Sequence, residues 1–194
     1  MATPTINAAM ILNNPGILYF APAGTAEPSQ TVASSVFSTA AWGGAWVQLG
    51  PTDNGTEFGD NPTSEDIEVE ESYWPVKRVV TKREATVAFA LAHFTATNLS
   101  TVTNGAGIAV TGSGATQLNT VTPVAIGAEV RGMIGWQSQD DSVRFIAYQA
   151  LQLGEVKPAM RKGANKALLA CTWKLELGPA GYAYRMFFAG TTRA

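Results

Sequence analysis

The sequence predicts a mainly β fold for this chain of 194 residues, and three observations support that prediction. Apolar and polar residues alternate with period two wherever a period is visible, which is typical of strands with one buried face. Clusters of Gly, Pro, Asn and Asp separate the alternating stretches. Hydrophobic residues make up 46% of the chain and charged residues 14%, which favours an ordered chain with one substantial core or two small ones.

The clearest alternation lies in residues 85–93, where Val87, Phe89 and Leu91 share one face. A second lies in residues 169–177, whose inward side chains are expected to be Cys171, Trp173, Leu175 and Leu177. Weaker patterns predict strands at residues 17–21, 46–49, 67–71, 76–83, 130–136, 143–151 and 182–188.

Turn-forming residues are expected to separate these strands at 14–16, 53–55, 140–141 and 178–181, of which the last two fit hairpin connections. One short helix is predicted, with Thr95 or Thr97 as N-cap, Leu99 and Val102 facing inward, and Asn104 with Gly105 at its end. Residues 23–45 read as a surface loop that contains Trp42, and residues 104–122 as a weak strand or a connecting loop between the halves of a single domain, 1–194.

Residues 60–83 form the most unusual stretch, because an acidic run and a basic run flank an aromatic centre. The acidic run is Glu65, Asp66, Glu68, Glu70 and Glu71, the centre is Tyr73, Trp74 and Pro75, and the basic run is Lys77, Arg78, Lys82 and Arg83. A hairpin with its turn between Tyr73 and Trp74 would place Glu70 opposite Lys77, Ile67 opposite Val80, and Glu65 opposite Lys82.

Two interpretations of this charged hairpin remain open. Its charges can be ordinary solvated cross-strand pairs worth about 0.2–1 kcal/mol each. Alternatively, the hairpin projects and docks on another copy of the chain, since exposed Tyr and Trp are typical interface anchors. The inter-subunit residues would then be Glu65, Glu70, Glu71, Tyr73, Trp74, Lys77, Arg78, Lys82 and Arg83.

Asp66, Glu68 and Glu70 stand at strand spacing on one predicted face. The simpler interpretation is a hydrated outer face. Repeated around a ring, however, the three carboxylates would face a lumen and repel the phosphates of DNA passing through it.

Composition argues against several other functions. A net charge of −2 and a pI near 5.4 give no basic field for tight nucleic-acid binding. The single cysteine, Cys171, falls in an apolar alternating stretch and is expected to be a buried, inert thiol. We find no pattern of a secretion signal or of an apolar bilayer-spanning run, so a protein made in the cytoplasm is expected.

No catalytic, metal or cofactor site is predicted. The single histidine, His93, shares the face of Phe89 and Leu91, so a structural role is expected. One Cys and one His cannot form the zinc-binding patterns, and no calcium loop is present. The Gly-rich residues 105–114 lack a dinucleotide fingerprint or a nucleophile elbow, and Asp66, Glu68 and Glu70 project in parallel instead of converging across a cleft.

The first hundred residues resemble the major tail proteins, or tail tube proteins, of long-tailed, non-contractile bacteriophages, especially phages of actinobacteria. The resemblance lies in GILYFAPAGT at 16–25 with Pro28, WVQLGPT at 46–52 with Gly55, the acidic strand, and VAFAL at 87–91 leading to Asn98 and Leu99. The C-terminal half matches only as strands of fitting length.

The resemblance implies a tail-tube-type β-sandwich or β-barrel with one short flanking helix, assembled as hexameric rings that stack into a conduit for DNA. It implies an inter-ring hairpin at 60–83, with N- and C-terminal arms at 1–14 and 189–194. The implied partners are further copies of the chain, a tape-measure protein, a tail terminator and a distal tail protein. DNA would pass without specific binding, and neither a cofactor nor a membrane is involved.

Two alternatives compete with this interpretation. A carbohydrate- or receptor-binding β-sandwich would use Trp42, Trp46, Trp74 and Trp136 as stacking platforms. A head-tail connector or capsid decoration protein would share the β-rich composition and form a single ring or trimer.

Overall fold

The computed structural model describes residues 15–34, 36–39, 42–156, 158 and 167–190. The predicted arm at 1–14 and residues 191–194 of the predicted C-terminal arm lie outside these ranges. The described residues form strands β1 (Gly16–Pro22), β2 (Val32–Ala33), β3 (Val36–Phe37), β4 (Val47–Gln48), β5 (Thr52–Ile67), β6 (Lys77–Leu91), β7 (Gly107–Thr111), β8 (Leu118–Thr122), β9 (Gly132–Ser138), β10 (Val143–Gln152), β11 (Leu169–Leu175) and β12 (Tyr184–Phe188), and helix α1 (Ala96–Val102).

The mainly β prediction is confirmed. The largest sheet has the order β4-β1-β9-β10-β11-β6-β5, with β12 paired to β10, and its pairs are antiparallel. Two further sheets are small hairpins, β2-β3 and β7-β8. The β7-β8 hairpin occupies the region for which the sequence predicted a weak strand or a loop.

The larger core lies between the two halves of the main sheet. Strands β1, β9 and β10 contribute Leu18, Ile134 and Phe145, while β6 and β11 contribute Leu91 and Trp173. Because both halves bury side chains in one cluster, the sheet packs across itself as a β-sandwich. The predicted inward sets of β6 and β11 are confirmed for Val87, Phe89, Leu91, Cys171 and Trp173, whereas Leu177 is exposed.

Helix α1 closes one end of this core. The Thr95 side chain accepts a hydrogen bond from the Asn98 backbone N–H, so the predicted N-cap is confirmed. Val102 is fully buried, and Leu99 packs against the same cluster. Within the described ranges, no helix has both the length and the apolar character that a membrane span needs.

A second, smaller core lies on the opposite face of β1, β9 and β10. The described residues of the range 23–46, here called the cover segment, lie over this core. Trp42 stacks on Tyr19 with a centroid distance of 4.3 Å, and Trp46 meets the edge of Trp42 at 4.9 Å. A Cβ on Gly135 would lie 2.3 Å from the Trp42 ring, so this close approach requires glycine. The prediction of Trp42 in a surface loop was therefore wrong.

A buried arginine joins the cover segment to the sheet. Arg144 of β10 is fully buried, and its five N–H groups donate to neutral acceptors: Gln137 Oε1 from Nε at 3.0 Å and Nη2 at 2.8 Å, Ser29 O at 2.8 Å, Gln30 Oε1 at 3.1 Å, and Ser38 O at 3.0 Å. The Phe37 and Trp42 rings lie 4.6 and 5.0 Å from its guanidinium carbon. Desolvation lowers the pKa of Arg144, but an arginine stays protonated in proteins.

Residues 53–55, which were predicted to form a turn between strands, lie inside β5. Asn54 (φ 60°) and Gly55 (φ 80°) form a bulge inside β5, where the register with β6 shifts between Asp53 and Thr56. The predicted strands at 76–83 and 85–93 are confirmed over residues 77–91, where they form the single strand β6, whereas the strand predicted at 67–71 is wrong because β5 ends at Ile67. Asn and Gly readily adopt the left-handed backbone conformation that bulges and turns both use, so composition alone does not distinguish a bulge from a turn.

The turn at 140–141 joins β9 to β10 as a hairpin, as predicted. The turn at 178–181 does not make a hairpin, because β11 and β12 pair with the same side of β10 in succession. Residues 176–183 therefore form a loop that leaves the sheet beside β10. The chain then rejoins the sheet at β12, which runs in the same direction as β11.

Replacing Arg144 with Met is expected to destabilise the protein, because the carbonyls of the cover segment lose their buried donors. Each unsatisfied buried acceptor costs about 1–3 kcal/mol, so we expect the free energy of unfolding to fall by about 3 kcal/mol. Urea denaturation measures this change. Arg131→Met, at an exposed arginine paired with Glu176, is the control and should change it little. An unchanged midpoint for Arg144→Met would contradict the assigned role.

Cys171 is expected to resist thiol reagents in the native state. The thiol is buried and donates to the Phe89 carbonyl at 3.5 Å, and desolvation raises its pKa to about 12. The reactive thiolate is then about one part in ten thousand at pH 8. Absorbance after addition of a disulfide reagent should show one thiol per chain in urea and almost none before unfolding. Rapid labelling of the folded protein would show that the thiol is accessible.

Candidate interface: a projecting two-stranded arm

Strands β5 and β6 continue beyond the body of the protein as a two-stranded arm, residues 60–83. They stay paired from Thr52 opposite Leu91 to Ile67 opposite Lys77. The inner half of β6 alternates buried and half-buried side chains, whereas residues 77–83 are all exposed. Residues 61–67 on the facing strand are exposed as well. The predicted charged hairpin therefore projects, with both of its faces in solvent.

The predicted register of this hairpin was wrong. Ile67 lies opposite Lys77 instead of Val80, and Thr63, not Glu65, lies opposite Lys82. The expected pairs Glu70–Lys77 and Glu65–Lys82 are absent from the part of the chain that the structure describes. A nine-residue loop, 68–76, replaces the tight turn that the charge match assumed. Pro75 lacks the N–H that a ladder needs, and adjacent glutamates repel one another, so pairing stops before them.

Other ion pairs do form within β5 and β6. Arg78 Nε contacts Asp66 Oδ1 at 2.9 Å across the two strands. Arg83 Nε contacts Asp60 Oδ1 at 3.0 Å at the root of the arm. Lys82 pairs with Glu84 of its own strand, and this contact, with Lys174 nearby, lowers the pKa of Glu84. The two more exposed pairs, Arg78–Asp66 and Lys82–Glu84, each contribute little to stability.

A tyrosine from the far end of the chain fixes the root of the arm. The Tyr184 hydroxyl in β12 donates to Asp60 Oδ2 at 2.6 Å, which raises the pKa of Tyr184. Its ring meets Phe58 edge-on at 4.6 Å and lies 5.8 Å from Phe145 in the larger core. Sequence reasoning missed Asp60 and Tyr184 as a pair, because 124 positions separate them and neither stands in a motif.

The tip of the arm carries exposed aromatic and acidic side chains. Tyr73 is fully exposed and Trp74 is 80% exposed. Within the described ranges, no ion pair joins Glu65, Glu68, Glu70, Glu71 or Lys77 to another residue. The inter-subunit residues named from the sequence thus lie together on the arm, but no partner chain is present to show what they contact.

The geometric premise of the carboxylate stripe was wrong. Asp66 lies in β5, but Glu68 and Glu70 lie in the loop that follows it, so the three do not stand at strand spacing. Asp66 is also paired with Arg78. A lumen-facing position for Asp66, Glu68 and Glu70 stays a prediction.

The remaining candidate chemistry is not assembled in the described residues. His93 lies beyond the end of β6 and is exposed, so it does not share the buried face of Phe89 and Leu91. No group of three or more His, Cys, Asp or Glu is placed to hold a metal ion within the described ranges. Trp42, Trp46 and Trp173 are buried, and Trp136 packs against the larger core. Trp74 is the one exposed platform left to a carbohydrate-binding interpretation.

Comparison with known proteins gives one decisive match. No curated protein matches the chain. Among solved structures, the chain is similar to the anti-feeding prophage cap (10% identity, 97% of each chain covered, TM-score 0.44). It is also similar to a chain of the anti-feeding prophage baseplate (7% identity, 97% of this chain and 98% of that chain covered, TM-score 0.43). Both similarities are too weak to support an argument.

The sequence profile described as phage tail tube protein matches residues 4–159, which is 156 of the 194 residues. This range contains the arm, helix α1 and strands β1 to β10. The chain therefore belongs to the phage tail tube protein family and is a structural component of a phage tail.

Proposed function

We propose that the protein assembles into hexameric rings that stack into the tube of a long, non-contractile phage tail, the conduit through which genome DNA enters the host. Assembly would take place in the host cytoplasm. Its partners would be further copies of the chain, a tape-measure protein inside the growing tube, and terminator and distal tail proteins at the two ends. Family membership supports a tail role, and the projecting arm is the feature of the fold that most favours repeated self-association.

Open sheet edges favour closure of a ring. Among the described residues, β5 ends the main sheet on one side and β4 ends it on the other. Strand β5 is 16 residues long, so its outer edge offers an extended row of unpaired backbone groups. Such an edge invites association, and a neighbouring copy that pairs with it converts this hazard into structure. Head-to-tail contacts of this kind form a ring when the rotation per copy closes.

The arm favours stacking of one ring on the next. It leaves the body as an exposed ribbon and carries Tyr73 and Trp74 at its end, away from both cores. Exposed aromatic side chains of this size are commonly the central anchors of interfaces. The root contact between Tyr184 and Asp60 fixes the point from which the arm projects.

Negative-stain electron microscopy of the concentrated wild-type protein tests the proposal. We expect tubes, or rings with six-fold symmetry, because the sheet edges and the arm of each copy require partners. Particles that remain monomeric at high concentration would contradict self-assembly. Single rings that never lengthen would favour a connector or decoration protein.

Trp74→Ala is expected to impair stacking without unfolding the chain, because the side chain is exposed and lies outside both cores. Truncating an interface anchor typically costs about 2 kcal/mol or more, so tubes should require at least about tenfold more protein. Sedimentation measures the assembled fraction, and circular dichroism checks the fold. Leu118→Ala, at an exposed apolar residue of β8, is the matched control. Loss of the fold in Trp74→Ala, or equal effects of both variants, would remove the assigned role.

A further inference from the structure

An apolar cleft, here called the arm-root cleft, opens between the root of the arm and strand β12. It has a volume of about 490 Å³, and its lining includes Arg83, Ala85, Leu175, Leu177, Tyr182 and Tyr184. Leu175 and Tyr184 also pack against the larger core, so the cleft is continuous with that core. Leu177 is 71% exposed and Tyr182 is 37% exposed, which leaves apolar area uncovered. A volume of roughly 300–1,000 Å³ is typical of pockets that bury a small molecule.

The wall formed by loop 176–183 is held in place by contacts within the chain. The Gly178 N–H donates to the Tyr182 carbonyl at 3.1 Å. The Gly181 N–H donates to the Gly178 carbonyl at 3.0 Å. The Tyr182 ring meets the buried Tyr148 ring edge-on at 5.1 Å. Because the wall is ordered before a partner arrives, binding in the arm-root cleft loses little conformational entropy on this side.

The loop at the end of the arm, 68–76, presents its tryptophan on an ordered backbone. The Ser72 hydroxyl donates to the Trp74 carbonyl at 2.9 Å and accepts from the Trp74 N–H at 3.2 Å. The Val76 N–H donates to the Ile67 carbonyl at 2.9 Å and closes the loop. Trp74 nevertheless stays 80% exposed. An indole held out in this way buries its apolar surface only on contact with a partner.

Trp74 cannot reach the arm-root cleft of its own chain. Eight residue steps of β6 separate Lys77 from Ala85, which is about 26 Å at roughly 3.3 Å per residue. Trp74 lies three steps beyond Lys77, and three steps span at most about 11 Å. At least about 15 Å therefore remain between the backbones of Trp74 and Ala85, more than a tryptophan side chain can bridge. A tryptophan in the cleft must come from another copy.

The arm also has the length that such a contact needs. The inner part of β6, from Ala85 to Leu91, spans six steps or about 20 Å, whereas the outer part spans about 26 Å. When the body of one copy lies beyond the body of another along the arm direction, the arm of the first runs beside the inner part of β6 in the second. Trp74 of the first copy then lies at the level of the second copy's arm-root cleft.

We propose that Trp74 of each copy inserts into the arm-root cleft of a copy in the adjacent ring. This inference rests on the proposed tube function and names the surface that receives the arm. The indole packs against Leu177 and Tyr182, and Arg83 supplies a cation for its ring face. The two surfaces belong to different parts of the chain, so the contact runs head-to-tail and repeats along the tube without closing.

Charge favours the arm as the occupant of the arm-root cleft. Arg83 is the one charged side chain among the described residues that line the cleft, and it is 67% exposed although it pairs with Asp60. The loop around Trp74 brings three carboxylates, which belong to Glu68, Glu70 and Glu71. An indole with carboxylates beside it matches an apolar cleft with a cation at its rim.

The area of one such contact is too small to hold two subunits together. A buried tyrosine or tryptophan contributes about 150–250 Å², so Tyr73 and Trp74 bury roughly 300–500 Å² on the arm side. A stable interface buries about 800 Å² per partner. Six such contacts between two rings exceed that area. Rings therefore form before they stack, and free subunits do not pair through the arm.

A double-mutant cycle on tube assembly tests the contact. Leu177→Ala truncates an exposed side chain of the arm-root cleft, so we expect it to raise the protein concentration needed for tubes at least about fivefold. The chain with both Trp74→Ala and Leu177→Ala should need little more protein than Trp74→Ala alone, because the second truncation removes a contact that is already lost. Leu153→Ala, at an exposed leucine outside the cleft, is the matched control and should leave assembly unchanged. Circular dichroism checks the fold of each variant.

Three outcomes would overturn the inference. If Leu177→Ala assembles as the wild type does, the arm-root cleft does not receive the arm, although the tube function stands. If the effects of the two substitutions multiply, Trp74 and Leu177 act at separate contacts. If Leu177→Ala prevents ring formation while Trp74→Ala still forms single rings, the cleft receives a neighbour within the ring.

A peptide titration keeps the contact testable if Trp74→Ala abolishes assembly, or if the wild type forms neither rings nor tubes and so refutes the proposed function. The probe is a synthetic peptide of residues 67–77, closed into a ring by a disulfide between cysteines added at its ends. It is titrated into the ¹⁵N-labelled full-length Trp74→Ala chain at millimolar concentration, because one small contact supports only weak binding.

We expect the amide signals of Leu177, Tyr182 and Tyr184 to shift in the nuclear magnetic resonance spectrum. The same peptide with alanine in place of Trp74 is the control and should give shifts at least about fivefold smaller. Equal shifts with both peptides, or no shift at these three residues, would overturn the inference whatever the wild type assembles into.

Discussion

The structure depends on the continuous pairing of β5 with β6 from the core into solvent. The same two strands bury Phe58, Val87 and Phe89 at one end and hold Asp66 against Arg78 at the other. An isolated two-stranded ribbon is marginally stable in water, so the outer half is ordered because the inner half is packed. The contact of Tyr184 with Asp60 lies at the junction of the two halves. Position and direction of the arm are thus set by the sandwich and not by the arm sequence alone.

The cover segment is held to the sheet by a buried cation, Arg144, in addition to apolar packing. Arg144 gathers carbonyl and amide oxygens from three parts of the chain, and Trp42 packs against both Tyr19 and the guanidinium. A desolvated guanidinium is costly unless all its donors are satisfied, so the network favours one position of Ser29, Gln30 and Ser38 over others. This coupling gives the outer face of β1, β9 and β10 a defined surface, which a subunit of the proposed ring would need.

Sequence patterns that depend on residues close together in the chain predicted the fold well. Alternation identified the buried faces of β6 and β11, and the cap chemistry of Thr95 identified helix α1. Both depend on neighbours within a few residues. Turn chemistry was less informative, because Asn54 and Gly55 suit a bulge within a strand as readily as a turn between two. Matching opposite charges failed for the arm, since exposed pairs are too weak to set a register against Pro75 and repulsion among glutamates.

Long-range features were not predictable from this sequence. The burial of Trp42, the Arg144 network and the pair of Asp60 with Tyr184 each join residues about a hundred positions apart. The candidate interface was predicted in its location and in its exposed aromatics, because a concentration of charge and aromatic residues is visible in sequence.

The central claim is that the arm exists to meet a further copy of the chain. A cryo-electron microscopy reconstruction of the assembled protein tests it most directly, because it shows where Trp74 lies. The account predicts density for the arm crossing from one ring to the next, with Trp74 buried against a neighbouring subunit. An arm folded back on its own body, or left in solvent between rings joined by other surfaces, would contradict it.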